Sequence, residues 1–187
     1  MENRKAMLHG MLLIVAAAVL WGGSGVAGQY LVTQRGQDAG WVTTYRTLLG
    51  GTVMLLFLGV RRRGRIFQVW KNPKDAVQMA VFGLVGIGCN LYFYMLAVKH
   101  TNAPTATTLQ YLSPAMIVVY TAVRTRRLPC RREVAAVLCA LAGVLAISTH
   151  GHLRSLAISP AGLAIGIASG AFLAFYGVFP KRLLEKY

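Results

Sequence analysis

Two arginine-rich clusters interrupt an otherwise apolar chain, one with Arg61, Arg62, Arg63, Arg65, Lys71 and Lys74, the other with Arg124, Arg126, Arg127, Arg131 and Arg132. A nucleic-acid binder carries its cations on an amphipathic surface, whereas here they are confined to the gaps between long hydrophobic runs. The net charge of +15 on 187 residues therefore does not point to nucleic acid. Hydrophobic residues make up 56% of the chain and charged residues 13%, so a soluble fold would have to expose mostly apolar faces. The mean hydropathy of +0.53 agrees. Membrane lipid is the expected solvent.

A helix needs about 20 apolar residues to cross a hydrocarbon core of roughly 30 Å. Six stretches qualify as expected spans: Leu8 to Val32, Trp41 to Val60, Ala76 to Val98, Ala103 to Val123, Val134 to Thr149 and Ala161 to Pro180. The fifth is short and borrows from its flanks. The runs are continuously apolar rather than alternating, which predicts an all-α polytopic transmembrane helical bundle and not a barrel. With the N-terminus inside, sixteen Lys and Arg residues fall on the cytoplasmic side. Only Arg35, Lys99 and Arg154 fall outside, and Arg46 lies within the second span. Because short basic loops resist translocation, both termini are expected in the cytoplasm of a multi-pass cell-membrane protein. The first run is long enough to span and lacks a cleavage site, so it reads as a retained helix and not a signal peptide.

The sixth stretch resembles the first. Laying Gly162 on Gly10 pairs Ala168 with Ala16, Gly177 with Gly25, Val178 with Val26 and Leu183 with Leu31. A copy that starts after five crossings would be inserted upside down, and inverted repeats are a common construction in secondary transporters.

Several segments strengthen this reading: WGGSGVAGQYL in the first span, YRTLLGG in the second, NLYFYMLAVKHTNAPTATTLQYLSPAMIVV across the third and fourth, and Gly143-Val144 in the fifth. Together they resemble the EamA repeat of the drug/metabolite transporter superfamily. The resemblance implies a first five-helix repeat over residues 8–149, an external linker over 150–158 and the opening helix of a second repeat over 159–187. It implies half of an inverted-repeat transporter of ten helices. The implied activity is export or exchange of small metabolites, amino acids or amphipathic drugs, and a missing C-terminal half or a second copy is the implied partner. The rival expectation is a non-transporting fragment or membrane scaffold. One departure is that the family commonly places an acidic residue in the turn after the fourth helix, where this chain is basic around Arg126.

A substrate pathway needs polar and aromatic groups inside the spans. The candidates are Trp21, Ser24 and Gln29 in the first span, Tyr45 and Arg46 in the second, Asn90 and Tyr94 in the third, and Gln110, Tyr111, Ser113 and Pro114 in the fourth. Arg46 has two readings, contact with the pathway or snorkelling to the external interface. Asn90 and Tyr94 share a helix face at i, i+4, and Tyr92 points away. Pro114 predicts a kink, because it cannot bond the carbonyl of Gln110 and clashes with it. For each candidate singly, interhelical packing is an equal alternative. As a set, amides and hydroxyls beside aromatic rings suit a small amphipathic substrate, and aromatic faces also stabilise organic cations. Gly162, Gly166 and Gly170 form an i, i+4 stripe suited to close helix packing.

The five acidic residues, Glu2, Asp38, Asp75, Glu133 and Glu185, all avoid the middle of a span. No proton-coupling carboxylate is therefore expected from this chain. Cys89, Cys130 and Cys139 read as packing residues, and His150 with His152 lacks the further ligands of a metal site. Gly22-Gly23-Ser24-Gly25 is embedded in a span and cannot cradle a phosphate, so neither an enzyme nor a cofactor or metal is expected.

Overall fold

The computed structural model describes residues 2–62, 65–148, 158–181 and 183, and the described residues contain helices but no strand. Helix α1 (Glu2–Gln29) continues into a π-helical turn over Tyr30–Gln34. The chain reverses at Gly36, whose φ of +63° lies in the left-handed region that glycine enters without steric cost. Helix α2 (Ala39–Arg62) follows, and its first turn is capped by Asp38, which accepts from Trp41 N at 3.1 Å. A 3₁₀ segment, Arg65–Lys71, leads into α3 (Pro73–Val81). A π-helical stretch, Phe82–Cys89, joins α3 to α4 (Asn90–His100). The remaining helices are α5 (Ala103–Gln110), α6 (Ser113–Thr125), α7 (Arg131–Ser148) and α8 (Pro160–Val178).

Three of these helices start by one device. Asn72, Asn102 and Ser159 each accept a backbone N–H from the first turn of α3, α5 and α8 respectively. Each is followed by a proline at a position where the missing N–H costs nothing. Helix α7 uses the reverse device, with Glu133 accepting from Cys130 N at 2.7 Å.

Among the described residues, four helical stretches are long and apolar enough to cross a membrane: Gly10–Gln34, Ala39–Arg61, Pro73–His100 and Pro160–Val178. The chain is a polytopic helical membrane protein, but the expectation of six uninterrupted spans needs correction at the fourth and fifth. The fourth is broken into α5 and α6 at Tyr111–Leu112. The fifth is α7, whose first turn carries Arg131, Arg132 and Glu133, leaving it a shorter apolar run. The linker expected at 150–158, with His150, His152 and Arg154, lies outside the described residues except for Ile158.

The main core joins the α1–α2 turn to the α4–α5 turn through Val32, Ala39, Val42, Met95, Val98 and Ala106. It therefore sits at the end of the bundle opposite the arginine clusters. Leu109 and Leu112 form a second centre against α8, packed by Met116 and Leu163. Much of α1 and α2 projects outward, with Leu12, Leu20 and Leu56 about two-thirds exposed, as a lipid-facing surface requires.

Candidate functional site

The third span places Asn90 and Tyr94 on one buried face and leaves Tyr92 exposed, as their spacing dictates. Asn90 Oδ1 accepts from Gln110 Nε2 at 2.8 Å, and the same amide nitrogen donates to Ser169 Oγ at 3.0 Å. All three residues are buried, so this network ties α4, the end of α5 and α8 together in a low-dielectric interior. The Tyr94 hydroxyl shares a 3.1 Å hydrogen bond with Thr107 Oγ1.

Beside this network lies a cleft of about 540 Å³. Its walls include Trp21 and Gly25 of α1, Tyr94 of α4 and Thr107, Gln110 and Tyr111 of α5 and its end, with Leu173 of α8 closing one side. Gly25 is required here, because a Cβ at that position would stand 2.9 Å from the Tyr94 hydroxyl.

Arg46 lies behind the α1 wall of this cleft, half-buried, with its guanidinium donating to Ser24 Oγ. The guanidinium thus lies between Ser24 and Gly28, one helical turn apart on α1, and bonds across to the neighbouring helix. Gly28 makes the room, since a Cβ there would meet Met95 Cε at 2.8 Å and Arg46 Nη1 at 3.5 Å. On the same face of α2, one turn earlier, the buried Thr43 hydroxyl has no hydrogen-bond partner among the described residues.

The other sequence candidates are distributed differently. Gln29 Oε1 accepts from Ala103 N at 2.9 Å, anchoring the start of α5 to α1. Ser113 is buried at the start of α6. Tyr45 is exposed and stacks on Trp41, with ring centroids 5.2 Å apart, away from the cleft. Pro114 is exposed in the first turn of α6, and at the interruption before it Tyr111 and Leu112 both keep right-handed helical dihedrals, so the expected kink is present as a two-residue turn between α5 and α6. The carbonyls of Leu109 and Gln110 there lie against α8: a Cβ on Gly170 would stand 3.2 Å from Leu109 O and 3.7 Å from Gln110 O. Gly162 and Gly166 complete the same contact, the first against Thr101 and the second against the Leu109 side chain. Cys89 is partly buried, but Cys130 and Cys139 are exposed free thiols, which corrects the reading of all three as packing residues.

Thr107 and Ser169 were not among the sequence candidates. Thr107 precedes Gln110 by one helical turn and so shares its face, and Ser169 is the hydroxyl that interrupts the glycine stripe of α8. Both signals are present in the sequence, though weak.

Residues 8–149 match the EamA-like transporter family. The chain is 39% identical over 178 residues to the uncharacterized inner membrane transporter YicL of Salmonella typhimurium, an alignment covering 95% of this chain and 59% of that protein. It is 27% identical over 145 residues to the uncharacterized transporter YyaM of Bacillus subtilis, covering 75% of this chain and 46% of the relative. The chain therefore spans about half the length of the curated relatives it matches. No solved structure matches it significantly. A family match across most of the sequence, together with apolar spanning helices, places this chain in the EamA-like transporter family as a multi-pass protein of the cell membrane.

Proposed function

We propose that this chain builds the substrate pathway of a membrane transporter that exports or exchanges small amphipathic metabolites such as amino acids. The observation that carries the reading is the cleft walled by Trp21, Tyr94, Gln110 and Tyr111, which sets amide and hydroxyl groups beside aromatic rings inside an apolar bundle. Repeat pairing supports it too, because the alignment that lays Gly162 on Gly10 also lays Leu173 on Trp21, and both line the cleft. In this reading residues 8–149 are one repeat, 150–158 an external linker and 159–187 the start of an inverted second copy. Both termini are cytoplasmic.

Charge favours a substrate with a carboxylate over a bare organic cation. Arg46 is the cation within the spans, and the five acidic residues all avoid their middles. The same absence leaves this chain without a carboxylate of its own to couple flux to protons, which supports facilitated flux, exchange, or coupling supplied by a further half. The test is flux in vesicles from cells expressing the protein, against a panel of amino acids and organic cations. Saturable movement of a carboxylate-bearing substrate that Arg46→Leu abolishes, with membrane insertion intact, supports the reading. Saturable movement of organic cations alone, or flux unchanged in Arg46→Leu, sinks the charge assignment.

A further inference from the structure

A second groove, separate from the cleft, runs between α6 and α8. Its deep part has a volume of about 360 Å³ and is walled by Met116, Ile117, Ala171, Ala174 and Phe175. A further cavity of about 420 Å³ continues it toward the end of the bundle that carries the arginine clusters. The two share Tyr120, Val178 and Phe179, so they adjoin along one groove. Among the described residues, the charged ones at its mouth are Arg124 and Lys181, both cations, with Gln78 and Thr121 beside them. Arg124 donates one guanidinium N–H to the Tyr120 hydroxyl at 3.1 Å, which holds the side chain over the groove and leaves its other donors for a ligand.

We propose that this groove is a binding site for an anionic phospholipid, with one acyl chain lying along Ala171, Ala174 and Phe175 and the phosphate between Arg124 and Lys181. Length and charge both fit. From Ala171 to Lys181 the helical rise is about 15 Å, half of a hydrocarbon core of roughly 30 Å and hence one leaflet. A basic pocket between spanning helices suits a lipid phosphate, whereas an apolar helix laid in the same groove would leave two cations without a counter-charge. In the proposed topology the site opens to the inner leaflet.

The test is a titration of the purified, delipidated protein with phosphatidylglycerol or phosphatidylcholine, with bound lipid counted by native mass spectrometry. Phosphatidylglycerol should bind roughly tenfold or more tightly. Arg124→Gln with Lys181→Gln should abolish that preference, and Arg131→Gln with Arg132→Gln, which removes two cations outside the groove, should retain it. Ala171→Trp fills the groove with the charges intact and should weaken binding of both lipids. Should the charge variant fail to fold, Ala171→Trp and the comparison of the two lipids on the unaltered protein decide. Equal affinity for the two lipids, equal loss in the two charge variants, or unchanged binding in Ala171→Trp overturns the site. So does a photo-crosslinker in place of Met116 that captures polypeptide instead of lipid in membranes.

Discussion

The guanidinium of Arg46 donates to the hydroxyl of Ser24 on the neighbouring helix and lies beside Gly28, within a stretch of α1 long and apolar enough to cross a membrane. An arginine held within a span costs roughly 2.5 to 3.5 kcal/mol on insertion scales, a cost that marks functional positions in membrane helices. Arg46→Lys should therefore retain insertion but lower flux about tenfold, because an ammonium cannot present the planar fork that pairs with a carboxylate. Ser24→Ala should have a smaller effect, since the charge remains. Initial rates of transport at several substrate concentrations separate the two.

Gln110 is the centre of a buried network, so its removal strands two partners at once. Gln110→Leu should destabilise the protein by about 1 to 3 kcal/mol through the unpaired Asn90 and Ser169. Adding Asn90→Leu and Ser169→Ala should recover part of that loss. Thermal unfolding in detergent reads both, and a triple variant no more stable than the single one would show that the network contributes little.

Gly166 leaves no space for a methyl group, because a Cβ would lie 2.9 Å from Leu109 Cβ and closer still to Leu109 Cδ1. Gly166→Ala should cost about 1 to 3 kcal/mol by overpacking. Leu109→Ala in the same chain should offset part of it, which a double-mutant cycle on unfolding midpoints measures.

Topology is checked at two exposed sites in a chain whose own cysteines have been replaced. Gln37→Cys, in the α1–α2 turn, should react with a membrane-impermeant maleimide in intact cells. Leu128→Cys, 96% exposed between α6 and α7, should react only after permeabilisation. The reverse pattern would place the arginine clusters outside.

Most of the architecture was legible because lipid makes each span declare itself as a long apolar run, while the arginine clusters mark the ends. The exceptions have local causes. Ala103–Val123 reads as one continuous hydrophobic stretch, and only Pro114 hinted at the break that separates α5 from α6. Hydropathy also says little about a helix such as α7, which begins with three charges. In the candidate site, Asn90 and Tyr94 could be chosen from their spacing within one helix, and Gln110 as an amide inside the next span. Their partners Thr107 and Ser169 were harder, because which face of α8 meets α5 is decided by packing between segments far apart in sequence. Tyr45 shows the opposite case: its chemistry suits a pathway, but its ring stacks on Trp41 and does not line this cleft.

The glycine face of α8 also decides which parts can move. Repeat pairing assigns α8 to a second copy, yet Gly162, Gly166 and Gly170 seat it against α5 and the end of α4 without clearance, and Ser169 is bonded to Gln110. A sliding or rolling motion at that contact would drive Leu109 into the helix backbone. Mechanically, α8 is bolted to the helices that precede it, so in the proposed transporter a joint between moving bodies would not coincide with the proposed boundary between repeats. The seam along α1 differs from it: there the cleft opens, and contact with α4 and α5 is gathered at one end, in the Gln29–Ala103 bond and the core beside it, so in the proposed transporter that seam is the place where one side of the pathway would swing against the other.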